Sequence, residues 1–288
     1  MVARETRLTT WLVVTNLACA NGREGSGDEQ YHAEPSYPYD PADMKGVILA
    51  GGTGSRLHPL TRITNKHLLP IYDRPMVTYA IEALVSGGLT EIMVVTGGTH
   101  AGEFFRLLGD GHEHGIGLLQ YAYQEREGGI AEALGLAERF AAGDRVLVML
   151  ADNVFGRSIK PAIENFERQE RGARIVLSKV EEPEHLRHLG VAELNGEKVV
   201  RIVEKPEQPP SDYAVTGLYF YDASVFEFLP SLSPSARGEL EITDVNNWFV
   251  EQGLMEYDVV DGFWGDAGES FDAYYEVNDY VRENGANR

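Results

Sequence analysis

Residues 45–57 read KGVILAGGTGSRL, a short apolar run (Gly46–Ala50) that passes directly into glycines and then into Ser55-Arg56-Leu57. A continuous apolar run of that length, without polar alternation, is the pattern of a parallel strand buried on both faces. Outward from it the chain keeps alternating. Apolar positions Met76, Tyr79, Ala80, Ala83 and Leu84 have helical spacing and stop at Gly87-Gly88, predicting a helix over 75–87. Strands are expected at Ile92–Val95, Leu118–Tyr123 and Val146–Leu150, with helices over 101–109 and 129–142. Such repeated strand–helix units imply an α/β fold, a Rossmann-like mixed and mostly parallel sheet with helices on both faces. Past residue 174 the texture changes. Val191–Leu194, Asn195-Gly196 and Val199–Val203 predict a hairpin whose Asn-Gly pair supplies both positive φ values, and a last helix is expected near 269–283. No repeat or flexible linker interrupts 44–288, which reads as a single domain.

Residues 1–43 differ from the rest. They hold little hydrophobic periodicity, and 21–43 is rich in Gly, Glu, Asp, Pro and Tyr. Two basic residues, a short apolar run at Trp11–Val14 and Ala18-Cys19-Ala20 suggest a signal peptide, but Thr15 and Asn16 interrupt the apolar core. The reading adopted is a disordered extension or a start placed too early, with Met44 opening the globular part.

The 288 residues carry 25 Lys and Arg against 45 Asp and Glu, a formal charge of −20. So acidic a surface repels phosphate backbones and argues against nucleic-acid binding, while leaving room for a locally basic pocket. A lone cysteine, Cys19, excludes an internal disulfide and a four-cysteine metal site. No apolar run approaches the roughly 20 residues of a spanning helix, so no membrane association is expected and the chain reads as cytoplasmic.

In open α/β sheets ligands bind at the carboxyl ends of the strands. Ala50, Gly51, Gly52 and Gly54 follow the first strand, where bare backbone N–H groups can bind phosphate oxygens, with Arg56 in the loop and Lys66 ten residues on. The loop lacks the Gly-Lys-Ser/Thr of a P-loop, and Leu57 stands where a dinucleotide fingerprint needs its third glycine. Asp152, at the end of the Val146–Leu150 strand, suits either a turn cap or a hard oxygen ligand for Mg²⁺. Asp266, in Phe263-Trp264-Gly265-Asp266-Ala267-Gly268, is by itself an ordinary turn residue; together the two carboxylates would make an Mg²⁺ site shared with substrate phosphates.

Residues 45–57 together with Asn65–Pro70 (NKHLLP), Leu150–Asn153 (LADN), Val203–Pro206 (VEKP), Tyr213–Tyr219 (YAVTGLY) and Arg237–Asp244 (RGELEITD) occur in one order. Together they resemble the short-form glucose-1-phosphate thymidylyltransferases (dTDP-glucose pyrophosphorylases) among the sugar nucleotidyltransferases, over about 45–275. The resemblance implies a nucleotidyltransferase, GT-A-like architecture and Mg²⁺-assisted, in-line transfer of a thymidylyl group from dTTP to glucose 1-phosphate. It implies Arg56, Lys66, Asp152 and Lys205 as catalytic residues, and Ala50, Gly51, Gly52, Gly54, His67, Gln124 and Gly129 as nucleotide-binding. Asn153, Gly190, Glu204, Lys205, Val215 and Arg237 would meet the sugar phosphate, and Asp152 and Asp266 the metal. Without the flanking motifs, Glu204-Lys205 would read as a solvated strand end. The Gln124 amide, one donor and one acceptor, matches O4 and N3–H of thymine or uracil.

Several positions depart from the family pattern. His67 replaces a glutamine, Leu189 an aromatic residue, Gly265 a larger one, and Glu269 a threonine. These leave sugar identity open, so a uridylyltransferase, another sugar 1-phosphate and a non-catalytic sugar-nucleotide-binding paralogue stay in view. Longer relatives carry a further helical tail linked to assembly and regulation; a homo-oligomer is allowed but not specified.

Overall fold

The computed structural model describes residues 44–288, so the readings made for 1–43 lie outside the described residues. In chain order the strands are β1 (Met44–Ala50), β2 (Pro70–Ile71), β3 (Arg74–Pro75), β4 (Glu91–Gly97), β5 (Leu118–Gln124), β6 (Arg145–Leu150), β7 (Asn153–Phe155), β8 (Ala173–Lys179), β9 (Gly190–Asn195), β10 (Lys198–Glu204), β11 (Tyr213–Tyr221), β12 (Met255–Val259) and β13 (Trp264–Asp266). The α-helices are α1 (Met76–Ser86), α2 (Ala101–Leu108), α3 (Ile130–Gly135), α4 (Glu138–Ala141), α5 (Lys160–Arg168), α6 (Pro183–Leu186), α7 (Ser224–Phe228), α8 (Ile242–Glu251) and α9 (Phe271–Asn284).

The main sheet runs β10-β9-β11-β6-β1-β4-β5, with β8 beside β11 and β12 beside β8. The first half of the chain supplies its parallel part: Ile48 pairs with Val94 of β4 and with Met149 of β6, and β5 extends β4 in parallel. The second half joins antiparallel, β11 against β6 and β8 against β11, while β12 returns parallel to β8. This is the mixed, mostly parallel sheet expected from the sequence. Successive residues of β1 alternate between two cores. Val47 and Leu49 pack with Val148, Tyr221 and Phe249 on one face; Ile48 and Ala50 pack with Ile81, Phe104 and Phe166 on the other. Both faces being covered is why β1 carries no polar alternation. A third cluster joins Leu57, Ile71 and Met76 to Tyr274, Val277 and Val281 of α9, anchoring the segment that follows the glycine loop.

Two local expectations are corrected. The helix predicted over 129–142 is two pieces, α3 and α4. After Gly135, a poor helix former, Leu136 and Ala137 donate to Ala133 and Leu134 in tight i→i−3 bonds instead of continuing the α-helix. The β9–β10 hairpin is present, but its register pairs Asn195 with Lys198, so the turn residues are Gly196 and Glu197. Only Gly196 takes a positive φ (63°), the placement of a type II′ turn rather than the Asn-Gly type I′ turn. No helix among the described residues is long and apolar enough to cross a membrane.

Candidate active site

The carboxyl ends of β1, β5 and β6 and the flank of β11 open on one cleft of about 420 Å³. Apart from Ala50, all the residues singled out from the sequence line it: Gly51, Gly52, Gly54, Arg56, Lys66, His67, Gln124, Gly129, Asp152, Asn153, Gly190, Glu204, Lys205, Val215, Arg237 and Asp266. Ala50 is fully buried at the end of β1, and its carbonyl accepts from Asn65 Nδ2 at 3.3 Å. It holds the loop from behind and presents no side chain to the cleft.

The glycine loop is shaped around Lys66. Gly54 has φ 66°, and a Cβ there would stand 2.7 Å from Lys66 Cβ; one on Gly52 would stand 3.2 Å from Lys66 Cε. A side chain at Gly54 would collide with the root of Lys66, and one at Gly52 would crowd its flexible end. The Asn65 side chain accepts from His67 N at 2.9 Å and caps the short 3₁₀ turn Lys66–Leu68 that presents both residues. Within the loop the Thr53 N–H donates to Glu127 Oε1 at 3.1 Å, so a carboxylate occupies a donor expected to face phosphate.

Three charged groups meet at the centre. Lys66 Nζ donates to Asp152 Oδ2, and the His67 Nε2 atom lies 3.8 Å from the same oxygen. Burial opposes charge on Asp152, but the Lys66 ammonium and His67 hold its carboxyl well below the usual range. Burial also works against the Lys66 charge, yet Asp152 and Asp266 raise its pKa. Asp266 is the opposite case: burial and the like charge of Asp152 push it up to about 7. Its backbone is tied in by the β13–β7 pairing of Asp266 with Asn153, by Ala267 N donating to Asp152 O at 2.9 Å, and by Gly268 N donating to Asp266 Oδ1 at 2.8 Å. His67 is 2 % exposed, its Nδ1 rests on Asn65 Oδ1 at 2.8 Å, and burial, then the Lys66 charge, keep it below its ordinary pKa. It packs beside Asp152 at the cleft wall, where its surroundings disfavour the charged imidazolium.

Asn153 is 1 % exposed and its amide is largely committed. Oδ1 accepts from Gly217 N (2.7 Å) and Trp264 Nε1 (2.6 Å), and Nδ2 donates to Asp152 Oδ1 (3.1 Å). It thus joins β7, β11 and β13 and orients Asp152; Gly217 is needed there because a Cβ would lie 2.6 Å from Asn153 Cγ.

At the far end, Glu204 gathers the cations. Lys205 Nζ is 3.6 Å and Arg237 Nη2 3.4 Å from Glu204 Oε1, while Thr243 Oγ1 donates to Oε2 at 2.8 Å. Arg237 is held more closely by Glu241, at 2.8 Å from Nη2. Lys205 has φ 45°, a left-handed backbone rare for a non-glycine residue, and its N–H donates to Leu189 O at 3.0 Å. Leu189 packs with Leu186, Val191, Ala214 and Trp264, forming an apolar wall.

At the β5 end, Gln124 Nε2 donates to Gly129 O (3.2 Å) and Glu132 Oε1 (3.3 Å). The expectation pairs both amide ends with a base; without a ligand the nitrogen faces these two acceptors and the oxygen faces the glycine loop. Gly129 has φ 95°, and a Cβ on it would come 2.4 Å from Leu240 O, so no other residue fits.

Two departures from the family pattern gain a local reason. A Cβ on Gly265 would stand 2.5 Å from Val277 Cγ2 of α9, and Glu269 Oε2 meets His185 Nε2 at 2.6 Å. Sequence reasoning missed Glu127, Glu132, Glu241, Thr243 and Trp264. The first four lie within or near the segments that were read, but their partners are supplied by the fold; Trp264 sat beside Asp266 with its indole N–H as the only signal.

A glycine loop, a lysine, two carboxylates and a second basic end share one cleft, an arrangement suited to phosphate-bearing ligands. The nucleotidyl transferase family model matches residues 45–284, and the chain belongs to that family. Within it, the glucose-1-phosphate thymidylyltransferase of Neisseria meningitidis is 42 % identical over 243 residues, covering 83 % of each chain. That of an Actinoplanes species is 44 % identical over 83 % of this chain and 78 % of its own. A Bacillus anthracis crystal structure, described as a glucose-1-phosphate thymidylyltransferase in complex with a sucrose, superposes with a TM-score of 0.79 at 46 % identity, covering 83 % of this chain and 96 % of that one.

Proposed function

We propose that this chain transfers a thymidylyl group from dTTP to glucose 1-phosphate, giving dTDP-glucose and pyrophosphate. The relatives named above carry that activity in their names. The observation that carries the reading for this chain is the Lys66–Asp152–Asp266 centre facing the glycine loop, with Lys205 and Arg237 across the same cleft. In the reaction an oxygen of the sugar phosphate attacks the α-phosphorus, and the bond from that phosphorus to pyrophosphate breaks in line. A sugar phosphate is already anionic near neutral pH, so no residue needs to remove a proton. Catalysis is then positioning and charge neutralisation.

Gly51, Gly52 and Gly54 offer backbone to the triphosphate, with Arg56 and Lys66 as its cations. Lys205 and Arg237 bind the sugar phosphate, after Glu204 and Glu241 yield them. Gly190, Glu204 and Val215 border the sugar, while Asn153 acts by orienting Asp152. His67 supports Asp152 from the side and reaches the nucleotide through it. Residues 44–288 act as one nucleotidyltransferase domain, and the substrates place the reaction in the cytoplasm.

Asp152 and Asp266 would hold Mg²⁺. The donor set fits: Asp152 and Asp266 face the same cleft, burial and then the like charge of Asp152 push Asp266 up to about 7, and a divalent cation between the two carboxylates would relieve that like-charge part. Mg²⁺ commonly takes one or two protein carboxylates together with substrate phosphate oxygens, which is what this pair would offer. When bound, the ion supplies neutralisation of the phosphate charge. The deciding experiment is pyrophosphate release with glucose 1-phosphate and Mg²⁺, offering dTTP, UTP, CTP, GTP and ATP in turn. Release with dTTP well above the others is expected; release with none of them overturns the reading.

A further inference from the structure

Gln124 ends β5 and is 9 % exposed, and the two groups its Nε2 faces, Gly129 O and Glu132 Oε1, are both acceptors. Only the nitrogen end of the amide can face them. The Glu132 carboxylate is itself fixed, since Arg126 donates to its Oε2 from Nη2 (2.9 Å) and Nε (3.3 Å). Gly128 makes room for it: a Cβ there would stand 2.1 Å from Glu132 Cδ and Oε1, although no positive φ requires glycine at that position. The opposite end of the amide lies over the glycine loop, where a Cβ on Gly51 would be 2.9 Å from Gln124 Oε1.

We infer that Glu132 is a positioning residue for base selection, fixing the Gln124 amide so that it presents only its oxygen to the nucleotide. This rests on the proposed reading in which Gln124 meets the base. An acceptor at that point suits the N3–H of thymine or uracil and repels the bare N3 of cytosine. Once the carboxylate is gone only Gly129 O still holds the nitrogen end, so the amide turns over more readily, and its N–H then suits the cytosine ring nitrogen. The O4 atom of thymine is served by a donor other than Gln124. Glu132 touches no substrate and acts entirely through the glutamine.

The test is the ratio of kcat/KM for dTTP to that for dCTP, with glucose 1-phosphate as co-substrate, in the wild type, Glu132→Gln, Glu132→Ala and Gln124→Ala. Calorimetric titration of each variant with dTTP and dCTP separately gives the same comparison without turnover. The ratio is expected to fall about tenfold in both Glu132 variants and at least as far in Gln124→Ala. A structural role alone would lower both efficiencies together and leave the ratio where it was. Unchanged ratios in both Glu132 variants, with a fall in Gln124→Ala, overturn the inference and leave the base reading standing. An unchanged ratio in Gln124→Ala overturns both.

Discussion

Lys66 and Asp152, 86 residues apart in the chain, close on each other as an ion pair at the centre of the cleft. Glycines make this contact feasible from two sides. Gly52 and Gly54 leave the path of the lysine clear, and Gly268 leaves out a side chain that would stand 2.6 Å from Asp152 Oδ2 and 2.8 Å from Lys66 Nζ. The pair keeps a buried carboxylate charged before any substrate arrives, with the lysine doing what a cation on the substrate side does later.

Asp152→Asn keeps the shape of that side chain and removes its charge. The Asn153 contact and the β7 backbone are left in place, so the fold is expected to persist. Turnover is expected to fall by about 10²- to 10³-fold. Steady-state pyrophosphate release beside a far-ultraviolet dichroism spectrum checks both halves, and full activity would remove Asp152 from the metal assignment.

The pH dependence of stability follows from Asp266. Its carboxyl is pushed up to about 7 from an ordinary 3.8, so the folded chain holds a proton that the unfolded chain releases. Stability tied to that proton is complete below the unfolded value and is lost as pH rises through the folded one. Metal-free wild type is therefore expected to lose melting temperature from about pH 4 to about pH 7. Asp266→Asn should flatten that slope in a chelator-containing thermal scan series; an unaltered slope would show that the trend belongs to other groups.

Gly268→Ala places one methyl group against both partners of the central pair. Its backbone is outside the left-handed region, so the effect is on the contact and not on chain conformation. A loss of about 100-fold in kcat is expected, the scale that accompanies an ångström of misplacement. Gly102→Ala is the control, since a Cβ there meets nothing within 4 Å. Comparable losses in the two variants would detach the effect from Lys66 and Asp152.

Much of this arrangement was legible in the sequence where the signal is local. The β1 run and the glycine loop follow one another within residues 46–54, and burial on both faces leaves an apolar run without polar alternation. Glu127 was not legible, because its partner is the backbone N–H of Thr53, 74 residues away, and nothing in an exposed Glu-Arg-Glu run announces that contact. Asn153 goes to the sugar by resemblance alone; its commitment to Gly217 and Trp264 depends on strands that meet only in the folded sheet. Lys205 and Arg237 came from resemblance alone, since isolated from their motifs they are ordinary surface charges. The helix break after Gly135 and the one-residue shift of the hairpin turn were settled by packing and register, which propensity does not fix.

Removing residues 1–43 should leave activity with dTTP and glucose 1-phosphate unchanged. The family match begins at residue 45, and Met44 is already a buried strand residue paired with Arg145. A chain started at Met44 that is insoluble or inactive would give the extension a structural role.

Asn153→Ala separates an orienting role from a sugar-binding one. The substitution leaves the Gly217 N–H and the Trp264 indole N–H without their acceptor and frees Asp152 Oδ1 from its donor. Unsatisfied buried donors cost about 1–3 kcal/mol each, so a loss of about 3 kcal/mol in unfolding free energy is expected. Because the Asp152 carboxylate is released at the same time, kcat should fall more than KM for glucose 1-phosphate rises. A residue whose main work is a sugar hydroxyl would give the reverse, a raised KM with stability nearly intact. Urea unfolding together with the two kinetic constants distinguishes the cases, and a KM effect alone would return Asn153 to the sugar.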